Sequence, residues 1–186
     1  PEKAKAAAIC AAETAGDFIT GLGIGGDEKA GKLADFAWSF ECAREAGLQL
    51  TAHAGEWGGP DSLRDALTLN VERIGHGVRA IEDAELVKEL VARQVTLEVC
   101  PGSNVFLGVY PRLQDHPIAR LMDAGVNCTV STDDPPFFHT TMTKEYQDLA
   151  RVFRFDEEVF SALNRAAAQA AFCDEDTRAA LLKQFT

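Results

Sequence analysis

The sequence has no run of about 18 to 20 consecutive apolar residues, so no membrane-spanning helix is expected. It has no basic-plus-apolar leader, so nothing in it marks secretion. It starts at Pro1 rather than Met, which suggests a piece of a longer polypeptide. It is short of positive charge: 18 Lys and Arg stand against 29 Asp and Glu, for a net charge of −11. That balance argues against nucleic acid or an anionic membrane as partner. The five cysteines (Cys10, Cys42, Cys100, Cys128, Cys173) are an odd number and form no CxxC pair. The spacing speaks against a thiolate zinc site or a redox dithiol and predicts reduced thiols in a cytoplasmic protein.

What is present is a repeating strand–helix pattern within one domain over 1–186, with no linker or low-complexity stretch. Helical periodicity is expected over 2–15, from Glu28 to Ala46 closed by Gly47, from Pro60 to Asn70, from Ile81 to Arg93 and from Pro117 to Ala124. Asp61 and Ser62 stand where N-capping groups belong. Strands are expected over Asp17–Ile24, Leu48–Ala54, Glu72–Gly75, Val95–Cys100 and Asn127–Thr132, with helices throughout from about Thr143 to Gln184. Val95–Cys100 is continuous and β-branched, as strands buried on both faces are. Five strand–helix units imply a parallel sheet of α/β class.

The polar residues collect where these strands end. Gly25-Gly26-Asp27-Glu28, His53-Ala54-Gly55-Glu56, Gly75-His76-Gly77, Ser103-Asn104 and Asp133-Asp134-Pro135 each follow an apolar run. Ionisable residues at the C-terminal ends of successive parallel strands are the mark of a (β/α)8 TIM barrel enzyme. A doubly wound open sheet is the rival, but it normally carries one glycine-rich loop near its start. A whole barrel needs eight strands, so about three N-terminal strands are expected to be absent from this chain.

His53 closes its strand and can turn an imidazole inward, with Glu56 on the following turn. A neutral imidazole is a good zinc ligand and a neighbouring carboxylic acid can move protons. A strand-end histidine taken alone is nevertheless more often structural. Flanking glycines let His76 approach a ligand closely or simply make a tight turn. The adjacent carboxylates of Asp133 and Asp134 need a cation or a polar ligand unless they cap a helix opened by Pro135-Pro136.

Thr51-Ala52-His53-Ala54-Gly55-Glu56, Arg73-Ile74-Gly75-His76-Gly77, Glu98-Val99-Cys100-Pro101 with Ser103-Asn104, and Ser131-Thr132-Asp133-Asp134-Pro135 together resemble the adenosine/adenine deaminase family in order and spacing. Gly25-Gly26-Asp27-Glu28 resembles that family's strand-four turn, and the resemblance runs from about residue 17 to the end. It implies a zinc-dependent aminohydrolase, with His53 and Asp133 as Zn2+ ligands and Glu56 as proton donor to the purine ring. His76 would orient and help deprotonate the metal-bound water. Asp134 and the Gly26 amide would contact ring nitrogens of a small purine nucleoside.

The family also needs an H-x-H pair at its first strand. The four histidines His53, His76, His116 and His139 do not form one. The pair is therefore expected in an N-terminal remainder of the same polypeptide, without which the isolated chain should be inactive. His116, before Pro117, reads as a turn residue without a ligating role, and His139 as a surface residue near the pocket. Gly23 and Gly102 stand where the family often carries Asp and a larger residue. Adenosine is the expected substrate, from Pro136-Phe137-Phe138-His139-Thr140-Thr141. Adenine or aminodeoxyfutalosine deamination is the alternative, and a non-catalytic module from a decayed barrel is the rival of another class.

Overall fold

The computed structural model describes residues 2–16 and 18–185. Asp17, the first residue of the expected strand 17–24, lies outside the described residues. The elements are α1 (Glu2–Glu13), β1 (Gly21–Ile24), α2 (Ala37–Glu45), β2 (Gln49–Ala54), α3 (Gly59–Thr68), β3 (Arg73–His76), α4 (Ala84–Ala92) and β4 (Thr96–Val99). They continue as α5 (Pro101–Phe106), α6 (Ile118–Asp123), β5 (Asn127–Val130), α7 (Pro135–Phe138), α8 (Met142–Phe153), α9 (Glu157–Ala170) and α10 (Glu175–Leu182). Among the described residues no helix is long and apolar enough to cross a membrane.

The five strands form one parallel sheet in the order β1-β2-β3-β4-β5. Parallel neighbours demand a crossover, and a helix supplies it each time. The strand order follows the sequence without reversal. A doubly wound sheet would reverse order at a switch point, so the sheet is an arc of a barrel. Parallel registry also brings every C-terminal strand end to the same edge.

Alternation along the strands divides the two faces. Leu50, Ala52 and Ala54 of β2 are buried with Ile74 and Leu97 against Phe40, Leu63, Leu86, Leu90 and Leu121 of the helical layer. Thr51 and His53 face the other way, where the surface is polar. There the Thr51 hydroxyl donates to Glu98 Oε2 at 3.0 Å, and Arg73 Nε lies 3.4 Å from Glu98 Oε1. β4 is buried or half-buried on both faces, with Glu98 placing a carboxylate on this polar side.

Two expected helices begin later than their periodicity suggests. The Glu28–Ala46 helix is a turn, a 3-10 segment over Leu33–Phe36 and then α2. Glu28 is drawn into the site instead, as described below. The Ile81–Arg93 helix is split, with a 3-10 segment over Val78–Glu82 ending at Asp83. The Asp83 carboxylate accepts from the Glu85 and Leu86 amides and starts α4 afresh. The capping expected of Asp61 and Ser62 does not occur, because α3 begins earlier, at Gly59, behind Gly58.

Candidate active site

Four strand ends supply the site. His76 is the last residue of β3, Glu56 follows β2, Asp133 follows β5, and Ser103 and Asn104 lie in the short helix α5 after β4. His76 Nε2 lies 3.7 Å from Glu56 Oε2 and 4.0 Å from Asp133 Oδ2. The Ser103 hydroxyl donates to Asp133 Oδ2 at 2.7 Å. The Asn104 side-chain amide reaches Glu56 Oε1 at 3.4 Å and His76 Nδ1 at 3.3 Å. His76, Ser103 and Asn104 are buried. His76 and Asp133 both hold left-handed backbone, at φ 63° and 57°. Non-glycine residues rarely adopt it, and such strain gathers at functional sites.

His53 lies beside this cluster. Its ring meets the His76 ring edge-on with centroids 4.9 Å apart, and it has no hydrogen-bond partner among the described residues. Gly75 makes room for it: a Cβ there would stand 2.6 Å from His53 Cδ2. Gly26 turns at φ 125° and joins His53, Glu28 and Trp57 in lining a groove of about 920 Å³. That groove borders the cluster through His53, while Glu56, His76 and Asp133 do not line it. Asp134 stays exposed at the N-terminus of α7 and makes no side-chain capping bond. The capping explanation of the acidic pair therefore fails, even though Pro135-Pro136 does open a helix.

Electrostatics separate the groups. Burial, and then the charges of Asp133 and Glu28, raise the Glu56 carboxyl to about 7. Burial and the neighbouring His53 lower His76, so that it stays neutral at neutral pH despite the opposing pull of Asp133 and Glu28. Burial first, then Asp133 and Glu56, push the Cys100 thiol far up. The site thus pairs a carboxylic acid half-protonated near neutrality with a neutral imidazole, the means for general acid–base chemistry.

Zinc takes imidazole, thiolate and carboxylate donors, and all three types stand in this site. Ligand atoms of His76, Cys100 and Asp133 fall within 4.8 Å of one another. The uncommitted imidazole of His53 and the carboxylate of Asp133 are donors that zinc accepts well. The donors gathered here, His76, Cys100 and Asp133 with His53 beside them, are of the types zinc takes.

Glu28 and Glu145 also shape the site. Glu28 accepts hydrogen bonds from the amides of Gly55 (3.0 Å), Glu56 (2.8 Å), Trp57 (3.3 Å) and Gly58 (2.9 Å), and from the Ser62 hydroxyl (2.7 Å). Burial alone would raise its pKa. The Ser62 hydroxyl and the amides more than offset this and hold it low. The carboxylate therefore acts as a template for the turn that carries Glu56. Glu145 does similar work beneath α5, accepting from the Gly102 amide at 3.0 Å and from the Thr140 hydroxyl at 2.6 Å. A Cβ at Gly102 would stand 2.2 Å from Glu145 Oε1, which gives that glycine a packing reason. His116 is not in a turn but in extended backbone (φ −68°, ψ 134°) between a 3-10 segment over Leu113–Asp115 and α6, and it is buried and bonded to Asn104. His139 is exposed, 6.3 Å from the Phe106 ring. The presence of Glu28 in a strand-end cluster was the available signal. Glu145 and His116 gave none, because their partners are distant in sequence.

Glu28→Gln in the full-length protein should lower stability by about 1.5–3 kcal/mol, the scale of hydrogen bonds to a charged group. The amide keeps one acceptor oxygen and turns an N–H₂ toward backbone donors. Urea denaturation checks it, and an unchanged midpoint would remove Glu28 from this role.

The family model described as adenosine deaminase matches residues 1–186. An adenine deaminase of Rhizobium leguminosarum bv. trifolii is 51% identical over 183 residues, covering 98% of this chain and 57% of that protein. One of Agrobacterium fabrum is 50% identical, with 98% and 56% covered. The chain spans somewhat over half the length of these relatives. The crystal structure of an adenine deaminase from Arthrobacter aurescens is similar at TM-score 0.92 and 34% identity, with 99% of this chain and 56% of that one covered. An amidohydrolase of Burkholderia ambifaria with bound Zn is similar at TM-score 0.87 and 26% identity, covering 100% and 53%. The five strands and their helices thus correspond to about half of a TIM-barrel deaminase.

Proposed function

The chain belongs to the adenosine deaminase family, and from that premise we propose that the full-length protein hydrolytically deaminates adenine. The reaction type rests on one observation, the convergence of Glu56, His76 and Asp133 with the Glu56 carboxyl raised to about 7. The choice of adenine over adenosine is supported by the relatives, since those at about half identity are named adenine deaminases. This reverses the preference drawn from residues 136–141, a stretch outside the buried cluster.

His53 and Asp133 would hold the zinc with ligands from elsewhere in the polypeptide. When bound, zinc supplies a water acidic enough to lose a proton near pH 7. Glu56 in its acid form donates a proton to a ring nitrogen, drawing electrons away from the carbon that bears the amino group. The neutral His76 side chain directs Nε2 into the space between Glu56 and Asp133, where it orients the attacking oxygen. Asp134, exposed at the mouth, accepts a hydrogen bond from a purine N–H, and the Gly26 amide donates to another ring nitrogen. The oxygen of one water bonds to the carbon bearing the amino group, the amino group leaves with a proton from that water as ammonia, and hypoxanthine remains. The substrate is a small purine, and the acidic composition fits a protein that needs no basic groove.

Ammonia release by the purified full-length protein tests this, with adenine and adenosine compared at matched concentrations. We expect kcat/KM for adenine to exceed that for adenosine by about 100-fold or more, the scale set by a site that rejects an extra group on binding grounds. A preference for adenosine would overturn the substrate assignment and leave the chemistry standing. Turnover of neither by zinc-loaded protein would overturn both.

A further inference from the structure

The fully buried Asn104 touches both Glu56 and His76, so the orientation of its amide decides which atom each of them meets. An asparagine flipped by 180° would present an oxygen to the Glu56 carboxylate instead of an N–H₂ group. Something must hold it, and the structure shows what does. His116, also buried, places Nε2 3.2 Å from Asn104 Oδ1. Its other nitrogen, Nδ1, lies 3.2 Å from the backbone amide of Ile118.

A backbone N–H can only donate, so His116 Nδ1 must be the acceptor. A neutral imidazole carries one proton, and it then sits on Nε2. Burial and the nearby charge of Arg120 favour that neutral form. Nε2–H donates to Asn104 Oδ1, which turns Asn104 Nδ2 with its two protons toward Glu56 Oε1 and His76 Nδ1. His76 Nδ1 is then an acceptor in its turn, and the His76 proton resides on Nε2. One backbone amide at the start of α6 thus sets the direction of every hydrogen bond in a chain reaching Glu56 and His76.

We propose that His116 is a positioning residue that orients Asn104 and through it holds His76 as the Nε2–H tautomer, so that His76 presents an N–H to the space between Glu56 and Asp133. His76 in this form steadies a negatively charged oxygen by donating to it. It cannot take a proton there, because its one free lone pair is turned to Asn104. This refines the water-deprotonating role that the family resemblance implies for His76. The inference rests on the proposed deaminase reading for its catalytic meaning, while the tautomers themselves do not depend on it.

The test uses the full-length protein labelled with ¹⁵N in the histidine rings, with and without zinc. Wild-type His116 should show an unprotonated Nδ1 and a protonated Nε2 at pH 8, and His76 the same pattern. His116→Asn keeps an acceptor for the Ile118 amide and loses the donor to Asn104. His116→Gln keeps a donor near the Nε2 position. His76 should shift to mixed tautomers in His116→Asn and return toward Nε2–H in His116→Gln. In parallel, kcat should fall by about 10- to 100-fold in His116→Asn with KM changed little, and recover in part in His116→Gln, the scale for residues that orient a ligand or catalytic group. An Nδ1–H tautomer at wild-type His116, or a His76 tautomer unmoved in folded His116→Asn, overturns the proposal. If His116→Asn does not fold, the wild-type tautomers decide alone. Correct tautomers in a protein that turns over no purine would sink the deaminase reading and spare this one.

Discussion

Glu56→Gln in the full-length protein lowers kcat by about 10²- to 10⁴-fold, the usual contribution of a general acid, and leaves the zinc content unchanged. The glutamine is nearly isosteric and can still meet the Asn104 amide 3.4 Å from Oε1, so the site keeps its shape and loses its transferable proton. A second consequence concerns pH. Burial, Asp133 and Glu28 raise this carboxyl from 4.5 to about 7, so the metal-free folded protein holds a proton that the unfolded chain has already released between those values. More protons bound in the folded state means that stability from this group is present at low pH and declines as pH rises through that window. His76, with its lowered pKa, contributes the opposite slope below its unfolded value of 6.5. The clean measurement is therefore the difference in denaturation midpoint between wild type and Glu56→Gln, followed from pH 4.5 to 7.5 without metal. The wild type should lose stability relative to the variant as pH rises. Metal loss in Glu56→Gln would make Glu56 a ligand and overturn its assignment as the acid.

Asp133→Ala should lose both zinc and activity, whereas Asp134→Asn should keep its zinc and lose kcat/KM for the purine. The structure separates the two neighbours sharply. Asp133 holds a left-handed backbone at φ 57°, receives the Ser103 hydroxyl at 2.7 Å, and places an oxygen 4.0 Å from His76 Nε2. It is a carboxylate already oriented by a hydrogen bond, as metal ligands usually are. Asp134 lies exposed at the start of α7 with no capping bond, free to accept from a bound ring N–H. Losing that bond should cost on the order of 1.5–3 kcal/mol of transition-state binding. Metal analysis beside an ammonia assay on the two purified variants decides the matter. A metal-free Asp134→Asn with a metal-replete Asp133→Ala would reverse the assignment within the pair.

The sequence by itself determined the parallel α/β architecture, because short apolar runs alternating with amphipathic stretches can satisfy their backbones only as strands crossed over by helices. It also marked which polar positions the fold brings together. His53, Glu56, His76, Asp133 and the Ser103-Asn104 pair were visible as polar residues at the ends of apolar runs, and parallel registry obliges such ends to share one edge. Helix starts were less legible. The pattern over Glu28–Ala46 is amphipathic, yet five hydrogen bonds to the Glu28 carboxylate outweigh the first turns of that helix. Asp83 likewise reset α4 through a local cap that periodicity does not register.

Tertiary structure alone decided the residues that support the site. Glu28 and Glu56 are 28 residues apart, Gly102 and Glu145 are 43 apart, and Asn104 and Glu56 are 48 apart. No local pattern links residues at such separations, and their contacts exist only once the crossovers have brought the strand ends together. His116 shows the difference most plainly. Its place before Pro117 suggests a turn, and nothing nearby in sequence says that its ring is buried against Asn104. Which nitrogen of that ring carries the proton follows from the Ile118 amide, a donor that becomes decisive only when burial removes water as an alternative partner.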